Sequence, residues 1–184
     1  MSILKVSRMG HPVLRKKTVP VPQSEIGSAS IQRLIDDMTQ TMLEYHGVGL
    51  AAPQVHEDRR LFVAMVVTDH DEEETEAHQP KVIALVNPEI TPVGKVVEED
   101  WEGCLSIPDI RGLVPRARDI RVKGFDREGK RIELEASGFM ARVLQHENDH
   151  LDGILFLDRM KSFDSLSFIE EYARYHARRE DEGQ

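Results

Sequence analysis

The strongest periodic signal lies between residues 28 and 47. Ile31, Leu34, Ile35, Met38, Met42 and Tyr45 recur at helical spacing. Ser28 or Ser30 stands where an N-cap belongs, and Gly47 stands where such a helix stops. Ahead of it, Pro12, Pro20 and Pro22 predict an irregular arm over residues 1–23. The apolar runs LFVAMVV (61–67) and KVIALVN (81–87) predict two buried strands, the second ended by Pro88, and 90–97 predicts a third. Ile120 and Val122, then Ile132 and Leu134, alternate with polar residues around Asp126-Arg127-Glu128-Gly129, which predicts a hairpin over 119–136. A helix follows from 137 or 138 to about 151 and is stopped by Gly153; 154–157 reads as a short strand or turn. A last helix is expected over about 163–179, with Leu166, Ile169 and Tyr172 or Ala173 on one face. No repeat or linker divides the chain, so the expectation is one domain over 1–184. Its class is α+β, with antiparallel or mixed sheets packed around the 137–151 helix and a helix towards each end.

Composition narrows the function without naming it. The 40% hydrophobic and 31% charged content are those of a globular protein able to bury a core. A net charge of −9 argues against DNA or general nucleic-acid binding, which draws on a basic surplus. No segment has the length of a signal peptide's apolar core or a membrane span, so the cytoplasm is expected and a membrane partner is not. The acidic stretch 69–78 reads as a solvated connection. With one cysteine, Cys104, an intrachain disulfide is impossible, and the thiol becomes a candidate ligand or nucleophile.

The chemistry concentrates in Gln145-His146-Glu147-Asn148-Asp149-His150-Leu151. Histidines at i and i+4 share one face of a helix, so both imidazoles can reach one metal ion, with Glu147 placed to handle protons. Two histidines leave a metal underbound, and the residues offer two third ligands. One is Cys104. The other is Glu170, twenty residues past His150 (170 − 150 = 20), a spacing seen in thermolysin-like proteases. Upstream, Gly47-Val48-Gly49-Leu50-Ala51-Ala52-Pro53-Gln54 is dense in small residues that let backbone come close to a ligand, and lacks the Gly-Lys-Ser/Thr ending of a phosphate loop.

Three separated motifs, GVGLAAPQ (47–54), EGCLS (102–106) and QHENDHL (145–151), resemble those of bacterial peptide deformylases, in the same order and without a substitution. LVNPEI, SIPDIRGLVPR and LDGILFLDRM between and after them are also similar to the family, so the resemblance covers nearly the whole chain apart from the acidic stretch. It implies that Cys104, His146 and His150 hold one divalent metal, Fe²⁺ in the cell with Zn²⁺ or Ni²⁺ as substitutes. The implied reaction is hydrolysis of the N-formyl group from the formylmethionyl end of newly made polypeptides. Glu147 would be general base and then acid, with the Gln54 side chain and the Leu105 N–H at the developing oxyanion. An apolar side chain needs an apolar pocket, for which Val48, Phe139, Val143 and His146 are candidate walls. Arg142 would lie at the rim by its aliphatic stem, Gly49 would offer backbone to an added peptide strand, and Arg111 would hold loop or peptide carbonyls. The basic run Arg174 to Arg179 suggests ribosome contact through the C-terminal helix, against the plainer reading of cations at a helix end. Two other functions stand beside this one: a metalloprotease that uses Glu170, and a catalytically inactive binding protein on the same scaffold.

Overall fold

The computed structural model of the chain describes residues 2–66 and 81–177, so the acidic stretch 69–78 and Arg178 and Arg179 lie outside the described residues. In chain order the elements are α1 (Gln23–Ile26), α2 (Ala29–Glu44), β1 (Gly49–Ala51), β2 (Leu61–Met65), β3 (Val82–Pro92), β4 (Val97–Cys104) and β5 (Ile107–Ala117). Then come β6 (Asp119–Phe125), β7 (Arg131–Ser137), α3 (Gly138–Leu151), α4 (Phe156–Arg159), β8 (Ser167–Phe168) and α5 (Ile169–Tyr175). The class is the expected α+β.

Two antiparallel sheets result, one ordered β1-β2-β3-β6-β7 and one ordered β4-β5-β8. β2 explains the architecture. Leu61 and Val63 enter a core with Ile35, Met38 and Met42 of α2, while Phe62 and Ala64 enter one with Ala141, Leu144 and Leu151 of α3. Alternate side chains of a strand point to opposite faces, so a helix covers each face of the large sheet. A strand buried on both faces reads as an unbroken apolar run. A third core, with Leu14, Ile107, Val114, Leu155 and Phe156 around Cys104, lies against the small sheet.

Both long helices form where periodicity placed them. Ser28 Oγ accepts from the Ile31 N–H at 3.4 Å, and the Gly47 N–H closes α2 on the Met42 carbonyl at 2.8 Å. Four expectations need correcting. Pro88 does not end its strand: β3 continues to Pro92 through an irregular register between Val86 and Glu89. Asn87 adopts φ 51° there and its amide bonds both backbone groups of Val21, and at such a bulge a proline interrupts no needed ladder bond. The strand expected over 90–97 is therefore the end of β3, a turn, and the start of β4. Residues 107–117, which the periodicity did not mark, form β5; Pro115 is tolerated because β8 reaches only Ile110 and Arg111, leaving one side of β5 open. Residues 156–159 form a helix, where Asp158 Oδ2 accepts from the Leu155 N–H at 2.7 Å, and the described C-terminal helix is limited to Ile169–Tyr175.

Candidate metal centre and active site

α3 brings the two histidines to the thiol of β4. The donor atoms of Cys104, His146 and His150 lie within 4.8 Å of one another, and all three residues are buried. His150 Nε2 is 3.2 Å from Cys104 Sγ, and His146 directs Nδ1 at Glu102 Oε2 (2.9 Å), which turns its Nε2 toward the thiol. One sulfur and two imidazoles with room for a further ligand form a donor set suited to Zn²⁺ or Fe²⁺, and the carboxylate behind His146 fixes its tautomer in the manner of metal-ligating histidines. Burial pushes the Cys104 thiol up, but the charge of His150 and hydrogen bonds from both histidines outweigh it and hold the pKa well below the ordinary thiol value. A thiolate stabilised by cationic surroundings is the form that ligates metal. Glu170 is exposed on α5 and lies outside this cluster, so the geometry leaves the metalloprotease arrangement without its third ligand.

Glu147 is the next residue on the helix and is itself buried, with Oε2 lacking a hydrogen-bond partner among the described residues. Burial is the largest influence on it; despite the opposing charges of His146 and His150, its pKa is pushed up to about 7. A carboxyl poised there exchanges protons readily at neutral pH. β1 makes the space: a Cβ on Gly49 would fall 2.3 Å from Glu147 Oε1, so only glycine lets the carboxylate lie against this strand.

Gln54 sits in a tight helical turn, Ala52–Val55, and its amide is oriented at both ends. Oε1 accepts from the Ala51 N–H at 2.8 Å, which leaves Nε2 to point at Cys104 Sγ (3.5 Å) and Ser106 Oγ (3.3 Å). Leu105 occupies the turn between β4 and β5, beside Cys104. The N-terminal arm does more than cover surface. Its Ser7 N–H donates to the Gln54 carbonyl at 2.7 Å and its Met9 N–H to the Ser106 carbonyl at 2.8 Å, tying the first two motifs together.

These groups open on a cavity of about 520 Å³. Val48, Gly49, Phe139 and Val143 line it, together with Arg111 and part of Arg142. Arg111 lies across the backbone of Gly103, where a Cβ would fall 1.5 Å from Nη1. Arg142 is placed differently from a rim residue. Its guanidinium is buried, donating to Glu102 Oε1 (2.9 Å) and to the carbonyls of Val114 (2.7 Å) and Glu98 (2.9 Å).

Sequence reasoning missed the charged scaffold behind the ligands. Glu102 accepts from Arg116 (2.9 and 3.0 Å), Arg142 and His146, while Asp149 accepts from Arg116 (2.5 Å) and Arg159 (2.7 and 3.0 Å). Burial raises the Glu102 pKa, and the His146 and Arg116 hydrogen bonds and charges overcome it, so the carboxylate stays ionised far below the usual range. A signal was present: Glu102 precedes Cys104 by two on a strand, which favours a shared face.

Comparison with known proteins follows the same lines. A family model described as Polypeptide deformylase matches residues 3–165. The protein named Peptide deformylase 2 from Pseudomonas putida is 45% identical over 168 residues, 91% of this chain and 93% of the relative. One named Peptide deformylase from Salinibacter ruber is 45% identical over 163 residues, 88% of this chain and 82% of the relative. Among solved structures, a Met-Ala-Ser-bound class I type b peptide deformylase from Acinetobacter baumannii superposes with a TM-score of 0.78 at 39% identity, covering 87% of this chain and 100% of that one. A peptide deformylase from Thermotoga maritima gives 0.75 at 37%, covering 88% and 100%.

Proposed function

The chain belongs to the polypeptide deformylase family and removes the N-formyl group from the formylmethionyl end of newly made polypeptides; we propose that Cys104, His146 and His150 hold the ion for this hydrolysis and that Glu147 moves its protons. The observation that carries the reading is the buried Cys-His-His cluster with a Glu147 oxygen beside it, without a partner among the described residues, at the inner end of the cavity. A divalent ion held there would bring the pKa of a water down from far above the physiological range toward about 7. Glu147 takes the proton from the attacking water and returns it to the departing amine, so that the C–N bond breaks to formate and a free amino terminus. Gln54 Nε2, fixed by the bond from Ala51, donates to the oxyanion, and the Leu105 N–H is its second donor. Val48, Phe139 and Val143 flank the methionine side chain, and Gly49 lends backbone to the peptide. The relative bound to Met-Ala-Ser, a peptide beginning with methionine, supports a methionyl peptide as the ligand of this cavity.

Finer assignments belong to the same proposal. Iron(II) is the resident ion, supported by the family resemblance and by a donor set that accepts it, with zinc or nickel able to replace it. No described helix is long and apolar enough to cross a membrane, which accords with work in the cytoplasm on nascent chains. Contact with the ribosome through the C-terminal helix is supported by the basic run that begins at Arg174; co-sedimentation with ribosomes that survives removal of residues 163–184 would refute it.

The test is formate release from formyl-Met-Ala-Ser under anaerobic conditions, with metal analysis on the same sample. Glu147→Gln should keep its metal content and lose turnover by a factor of about 10²–10⁴. Full activity in that variant would remove the proton-transfer role. Cys104→Ser should lose the metal and Glu170→Ala should keep it.

A further inference from the structure

On the deformylase reading above, we infer that Ile169 and Trp101 form a selectivity wall for the side chains that follow methionine in the substrate, and that the C-terminal segment is folded back to build it. Trp101, the single tryptophan of the chain, immediately precedes Glu102 on β4. Glu102 is held in the buried ion network, and Trp101 beside it, half-buried, lines the cavity. Two rings of α5 and its C-cap hold it: Tyr172 at 4.9 Å between centroids, inclined 59°, and His176 at 5.0 Å, inclined 38°. Residues four apart on a helix share a face, and Ile169 lies one turn earlier on that side, lining the cavity as well.

The segment that carries them is tied down before it arrives. Ser165 Oγ accepts from the Leu113 N–H at 3.1 Å, and β8 pairs with β5 at Ile110–Phe168 and Arg111–Ser167. A seven-residue helix has little stability of its own, so the two-residue pairing and the ring stack set where α5 lies. Exposure gives the cavity a direction. Cys104, His146 and Glu147 are 8%, 8% and 4% exposed, whereas Ile169 is 37% exposed. A peptide with its formyl carbon at the buried end leaves through the exposed rim, where Ile169 stands with Val48 and Phe139. Ile169, Tyr172 and His176 lie beyond residue 165, where the family model's match ends, so the tail adds its side of the wall to Trp101 of β4.

An apolar side chain half-buried on such a wall should raise kcat/KM about five- to tenfold over glycine at the same position. The experiment compares formyl-Met-Leu-Gly and formyl-Met-Ala-Leu with formyl-Met-Ala-Gly, following formate. In Ile169→Ala the preference should fall to about twofold or less, through KM rather than kcat; Ile169→Thr, which stays closer to the native shape, should move it the same way. Tyr175→Ala, on an exposed side chain away from the wall, should retain the wild-type preference. Binding of the product peptides Met-Ala-Leu and Met-Ala-Gly, titrated through Trp101 fluorescence, gives the same ranking without turnover. A preference absent from the wild type, or intact in both Ile169 variants, overturns the wall. Failure to release formate from any of the peptides removes the deformylase reading and this inference with it, whereas formate release with unchanged preference removes this inference alone.

Discussion

Behind the metal ligands, Glu102, Arg116, Arg142 and Asp149 are buried, and their charges are spent on one another and on His146. At the mouth, Val48, Phe139 and Ile169 are exposed apolar side chains. The inner end is polar and closed; the outer end is apolar and open. Each region suits what it must hold. A ligand set works only in one geometry, and a network whose members have no solvent to turn to keeps His146 and the helix behind it in register. A nascent chain presents many sequences, and an open apolar surface accepts them without a demand for matched hydrogen bonds. The contrast predicts that substitutions behind the ligands change stability and metal affinity together, while those at the mouth change KM alone.

The largest effect should come from Glu102→Ala. It strips two buried arginines of their carboxylate, and a broken buried ion pair typically costs about 3–5 kcal/mol. Urea unfolding should show that loss, and metal affinity should fall about 10–100-fold because His146 Nδ1 loses its partner. An unchanged unfolding midpoint would break the comparison at its stronger end. Gln54→Ala comes next, at the boundary between the regions. Loss of an oxyanion donor should lower kcat by roughly 10²–10³-fold with the metal retained. If KM rose instead and kcat held, Gln54 would be a ground-state contact. Phe139→Ala should raise KM about threefold; at 51% exposure it should leave stability within about 0.5 kcal/mol, which thermal unfolding would check.

Much of this was legible in the chain because it is local. The apolar stripe of α2, the β6–β7 hairpin and the i, i+4 histidines of α3 are each set by residues within one element. What escaped depends on partners far away. Arg142 reads as a rim residue of the pocket until Glu102, 40 positions distant, is brought to its guanidinium. β3 crosses Pro88 because Val21, 66 positions from Asn87, satisfies the irregular backbone. β5 was hidden by its prolines, whose tolerance depends on how far β8 extends. Trp101 is one aromatic among acidic residues in the sequence, and only the return of α5 sets the Tyr172 ring against it.

The smallest expected effect sharpens the contrast, because it comes from an ion pair of the opposite kind. Arg15 of the N-terminal arm meets Asp158 at the start of α4 at the surface, with both side chains 40–50% exposed. Burial nudges the Asp158 pKa up, but the Arg15 hydrogen bond, the Leu155 N–H and the nearby guanidinium charges prevail and hold it below its ordinary 3.8. A carboxyl whose folded value lies below its unfolded value stabilises the fold above the unfolded value, and that contribution disappears as pH falls through the folded one. Asp158→Asn can still accept from the Leu155 N–H, so it isolates the charge. Near pH 6 the variant should be less stable than wild type by under about 1 kcal/mol, because exposure and salt screen such a pair. The difference should shrink in about 1 M salt and disappear as pH falls through the folded value of Asp158. Glu102→Ala should keep most of its cost in the same salt, since buried charges are screened far less. Equal salt sensitivity in the two variants would mean that water reaches Glu102, and the closed inner end would lose its physical basis.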